Sequence, residues 1–137
     1  MEILVAALCD AATEENGKLN ILGTFDTICV PNLPAVHRQC VIALRMLFSK
    51  AEEGRHRVTL SAGDDDGKPL LPAIEIPVDV AIPDDAIHLS RNLIVSIQSL
   101  KFDRAGHFAI NIAINGRQRG SIPLSVRPAR PSSPADS

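Results

Sequence analysis

Large aliphatic residues recur at every second position along much of this chain. In residues 74–82, Ile74, Ile76, Val78, Val80 and Ile82 alternate with Glu75, Pro77, Asp79 and Ala81. Residues 56–62 repeat the pattern with Val58, Leu60 and Ala62, and residues 108–114 with Phe108, Ile110, Ile112 and Ile114. A period of two sends successive side chains to opposite faces of an extended strand. One face is then buried and the other wet, which points to antiparallel sheet rather than helix. Residues 40–49 are more uniformly apolar, with Arg45 alone inside the run. They are expected to form a central strand, with Cys40, Ile42, Leu44, Met46 and Phe48 inward. Residues 2–10, 19–23, 25–30, 93–102 and 117–126 complete a predicted set of eight or nine strands. Only residues 11–15 and 51–54 suggest helix, about one turn each, and both read better as loops.

Turn chemistry supports the same reading. Asn115-Gly116 separates two alternating runs by two residues, and both central positions of a type I′ turn need positive φ. Residues 108–114 and 117–126 should therefore form a hairpin. Asp64-Asp65-Asp66-Gly67 and Asn16-Gly17 mark two further turns. Pro77 and Pro123 interrupt alternating strands, and proline cannot donate a ladder hydrogen bond. Two such strands predict exposed edges, hence an open sandwich rather than a closed barrel. The expected fold is all-β: a two-sheet antiparallel β-sandwich, immunoglobulin-like. Phe108 enters the last-but-one strand as an aromatic does in immunoglobulin-type sandwiches, although the tyrosine hydroxyl and core tryptophan are missing. The sandwich should occupy residues 1–126. Residues 127–137, rich in Pro, Ser and Ala, are expected to be a disordered or extended tail.

Composition narrows the function classes. A chain of 137 residues suffices for one self-supporting core. With 4 Phe and no Tyr or Trp, it lacks the aromatic platforms on which sugars and single-stranded nucleic acids stack. A net charge of -2 leaves no basic footprint for nucleic acid. No apolar run approaches the roughly 20 residues that span a bilayer. No carbohydrate, nucleic-acid or membrane partner is therefore expected. Cys9, Cys29 and Cys40 are odd in number, form no C-x-x-C pair and lie in apolar stretches. They read as small buried hydrophobes rather than a disulfide framework or zinc site. The apolar start lacks a basic leader segment, and free thiols suit the cytoplasm.

No catalytic, cofactor or metal residues are expected. His37, His56, His88 and His107 share no ligand spacing, and Asp64–Asp66 miss the D-x-D-x-D-G pattern of calcium loops. There is no G-x-S-x-G or phosphate-cradling glycine loop. Glu14-Glu15, Glu52-Glu53 and Asp84-Asp85 are adjacent loop carboxylates that simply solvate. Arg117, Arg119, Arg127 and Arg130 suit edge-strand charges that deter pairing between molecules.

Three stretches carry a resemblance: CDAATEENGKLNILGTFDTI (9–28), LPAVHRQCVIALR (33–45) and GRQRGSIPLSV (116–126). Over about residues 2–126 the chain resembles an uncharacterised family of short bacterial proteins, a domain of unknown function. The likeness implies a small cytosolic protein and transfers no activity, cofactor or catalytic residue.

Two function readings follow. The first is a non-catalytic protein-interaction module, expected to be a homodimer. It would pair through an outward row on the 40–49 strand formed by Val41, Ala43, Arg45 and Leu47, because an apolar second face must be covered. The Leu70–Ala73 segment is the alternative cover from within the chain. The second reading is a small-ligand-binding sandwich with a pocket between Gly17 and Asp26, its polar groups supplied by Lys18, Asn20 and Asp26. An enzyme ranks last.

Overall fold

The computed structural model describes residues 1–129. Nine strands run in chain order: β1 (Glu2–Glu15), β2 (Lys18–Thr24), β3 (Thr27–Val30), β4 (Ala35–Ser49), β5 (Gly54–Asp64), β6 (Pro69–Val80), β7 (His88–Phe102), β8 (Gly106–Ile114) and β9 (Arg117–Pro128). A single 3₁₀ turn, Lys50–Glu52, links β4 to β5. One sheet has the order β2-β1-β4-β7 and the other β3-β9-β8-β5-β6. The two sheets form the all-β sandwich that the alternation predicted. Its core takes Cys40, Ile42, Leu44, Met46 and Phe48 from β4, all at 1% exposure or less, against Val58, Leu60, Ile110, Ile112 and Leu124 of the facing sheet.

The β8–β9 turn forms as its residues dictate. Asn115 has φ 54° and Gly116 φ 84°. Asn115 also ties the turn to the start of β5. Its N–H donates to Arg57 O at 2.9 Å, its Oδ1 accepts from Arg57 N–H at 2.9 Å, and its Nδ2 lies 2.9 Å from His56 Nδ1. His56 Nε2 donates to Glu52 O, and the ring packs 4.8 Å from that of Phe48.

Several expectations are corrected. The sandwich is not wholly antiparallel: β3 runs parallel to β9, pairing Thr27 with Ser125 and Val30 with Pro128. The two strands lie far apart in sequence, so no hairpin fixes their direction. That pairing also extends the ordered domain past residue 126. Arg127 and Pro128 belong to β9, and Ala129 N–H donates to Val30 O at 2.7 Å. The rest of the expected tail, residues 130–137, lies outside the described residues. Pro77 does sit on an edge strand, β6, but β9 is interior. Pro123 is tolerated there because β3 reaches only from Ser125 onward. Ser125 N–H points to that side, donating to Asp26 O, so alternation aims position 123 at the same edge, above the end of β3. Finally, Cys9 and Cys40 are buried but Cys29, on the edge strand β3, is exposed.

Candidate functional site

The outer face of the β2-β1-β4-β7 sheet is the place to look for an unpaired apolar patch. Val41 and Ala43 do point to that face, but they are 4% and 0% exposed within a single chain. The reason lies in β1. Its pairing with β4 aligns Cys9 with Val41. Straight continuation would bring Glu15 beside Ala35. Instead, Gly17, at the tip of the β1–β2 hairpin, touches Arg45, about ten residues further along β4, or roughly 33 Å of strand. The hairpin therefore doubles back over the sheet. Cys9 and Ala12, three residues apart, both face the covered cluster, so strict alternation breaks at the bend. Gly23 sits there with φ +70°, and a Cβ on it would come within 2.5 Å of the Asp10 carboxylate. Residues 10–24 thus form an arm whose inner side, Ala12, Leu19 and Ile21, packs on Cys9, Val41 and Ala43.

The tip is held by polar contacts. Gly17 O accepts from Arg45 Nη1 at 2.9 Å and from Asn92 Nδ2 at 3.0 Å, while Arg45 Nη1 also donates to Asn92 Oδ1 at 2.8 Å. The predicted interface row is thereby corrected. Val41 and Ala43 are covered, Arg45 finds its carbonyl partner within its own chain, and both Arg45 and Leu47 are half-buried. The cover is this arm. The Leu70–Ala73 segment does not provide it: β6 belongs to the other sheet.

The predicted pocket residues do not converge either. Leu19 and Ile21 face inward, so the alternate Lys18 and Asn20 lie on the arm's exposed outer side, where Asn20 Nδ2 meets Thr13 Oγ1 at 3.3 Å. Asp26 belongs to the β2–β3 turn, its Oδ1 accepting from Thr27 Oγ1 at 3.0 Å. A cleft of about 330 Å³ opens beside that turn, lined by Asp10, Thr24, Phe25, Thr27, Cys29 and His37. His37 Nε2 is buried there without a hydrogen-bond partner, and its ring lies 5.7 Å from that of Phe25.

A larger feature escaped the sequence reading. On the open side of the sandwich, β7 and β6 are the edges of their respective sheets. Between them runs a groove of about 510 Å³, lined by Leu70, Leu71, Ala73 and Ile74 of β6 and by Ile97 and Leu100 of β7, among others. β7 keeps one backbone edge unpaired along its fifteen residues and contains no proline. β6 is blunted by Pro69, Pro72 and Pro77. The signal was present as a contrast in proline density between the two strands.

Burial pushes the Cys40 thiol up to about 11 and raises that of Cys9 as well, so neither is a ready nucleophile. Among the described residues, no three His, Cys, Asp or Glu side chains gather in a way that could hold a metal ion. Among the described residues, no helix is long and apolar enough to cross a membrane. No curated protein matches the chain. A family model, described as a family of unknown function (DUF6941), matches residues 4–127, almost the whole of the described chain, and this protein belongs to that family.

Proposed function

We propose that this protein is a non-catalytic β-sandwich interaction module that adds an extended strand of another polypeptide, a second copy of itself included, to the free edge of β7. One observation carries the reading: the β7 edge is long, unpaired and free of proline, and it borders an apolar groove, while the facing edge strand β6 is blocked by three prolines. An open edge of this kind is a template for pairing, which proteins that avoid it suppress with prolines or charges. The incoming backbone would satisfy the outer N–H and C=O groups of β7, and its alternate side chains would enter the groove beside Leu71 and Ile97.

The strand order also supports an immunoglobulin-like reading. β1-β4-β7 and β9-β8-β5-β6 match the A-B-E and G-F-C-C′ sets of that architecture. Free thiols support a reducing, cytoplasmic setting.

The test is amide hydrogen exchange along β7, measured with increasing protein concentration and with extended peptides selected from a display library. Outward amides of β7 should become protected, and Ala73→Arg, which places a charge in the groove, should abolish that protection without unfolding the chain. Fast exchange throughout, with no peptide retained, would overturn the proposal. A second reading, small-ligand binding, is favoured by the unpartnered His37 Nε2 in the cleft at the β2–β3 turn. Fragment screening by NMR that moves the His37 ring signals would support it.

A further inference from the structure

We infer that the β1–β2 arm is a separately opening cover, latched at its tip by Arg45 and Asn92, whose release exposes the outer face of the sheet while the sandwich stays folded. Four features support this. Beyond Cys9, the arm's two strands pair only with each other, because β2 is an edge and β4 leaves β1 at Val41. The apolar contact beneath the arm is small: three buried residues, Cys9, Val41 and Ala43, against twenty-four in the main core. Few buried contacts and exposed hydrogen bonds define the parts of a protein that open at low free energy. The latch concentrates on one atom, Gly17 O, which accepts from both Arg45 and Asn92. The chain also has hinge material at the base: alternation breaks between Cys9 and Ala12, and Gly23 takes φ +70° against Asp10.

The three cysteines occupy three depths that report on such an opening. Cys29 is exposed, Cys9 lies beneath the arm with its Sγ donating to Val41 O at 3.5 Å, and Cys40 lies in the main core. Arm opening frees Cys9 and leaves Cys40 closed. Raised thiol pKa values slow both buried cysteines in the closed state, so the comparison rests on how their rates respond to denaturant and mutation.

The experiment is thiol labelling of the full-length protein with a small alkylating reagent, followed residue by residue by mass spectrometry at rising sub-denaturing urea. Cys29 should label at once. Cys9 should label through an opening with a shallow urea dependence, and Cys40 only through one with the steep dependence of global unfolding. Arg45→Ala should raise the Cys9 rate roughly tenfold or more, as loss of a charge-assisted hydrogen bond implies, with a much smaller effect on Cys40. The wild-type comparison stands even where that variant folds poorly, and Asn92→Ala gives a second, milder release. Equal urea slopes for Cys9 and Cys40, or equal acceleration of both by Asn92→Ala, would show that arm and sandwich open together and would overturn the inference.

Discussion

Asn115 shows how much one turn residue can carry. Its backbone takes the positive φ that the turn demands, and its side chain joins β5 to the β8–β9 hairpin through Arg57 and His56. Asn115→Ala strands the Arg57 N–H and strains the turn, so it should cost about 1–2 kcal/mol in a urea melt. Gly116→Val should cost about 1 kcal/mol through φ alone, since a Cβ there meets nothing within 4 Å. Asp64 contributes on the acid side, as does Glu52, whose carboxyl is held down to about 2. The Asp64 carboxyl is held below its ordinary 3.8, first by the Arg104 guanidinium at 2.8 Å, then by the N–H groups of Lys68 and Asp66. A depressed folded pKa gives stability that is present above the unfolded value and lost as pH falls through the folded one. Stability should therefore drop on acidification below about pH 4, and Arg104→Ala should shrink that drop. NMR titration of Asp64 in the two proteins checks it. An unchanged midpoint would remove Arg104 as the cause.

At the scale of elements, edges and ends decide the behaviour. The alternating runs predicted most of the strands, and the Asn-Gly hairpin formed where its residues require. Strand ends were less legible: β4 starts at Ala35 and β7 at His88, each five residues before the expected start. His37 and Leu100 pair there, as do Ala35 and Phe102, but Ser99 takes φ 56° and Leu100 and Ile97 are both buried. One residue of left-handed backbone shifts the parity opposite the start of β4, where Arg38 and Gln39 are both exposed, so a period of two stops short of residues 35–39. β9 likewise outruns its aliphatic pattern, because β3 pairs with Arg127 and Pro128 through backbone groups that no side chain advertises. Removal of residues 127–137 should consequently lower the melting temperature by about 3–5 °C, since it strips half of the β3–β9 ladder. A melt that matches the intact protein would show that β3 holds without it.

At the scale of the whole molecule, the arm changes what a mutation on the outer face means. Ala43 is fully buried in its own chain, so Ala43→Glu should destabilise the fold by about 3 kcal/mol or more in urea, by leaving a charge unpaired beneath the arm. Were Ala43 instead a contact between copies, the same change would lower the mass in solution and leave the unfolding midpoint in place. The sequence by itself determined that the chain is a sandwich, which β4 residues face its core and where the β8–β9 turn falls, because alternation and turn chemistry act between neighbours along the strand. It also showed that Val41 and Ala43 must be covered. Only the tertiary structure decided what covers them, brought β3 beside β9 and set β7 against β6 as an open groove. A period of two records that a face is buried. The partner that buries it is chosen by contacts between segments distant in sequence, which leave no periodic trace in either one.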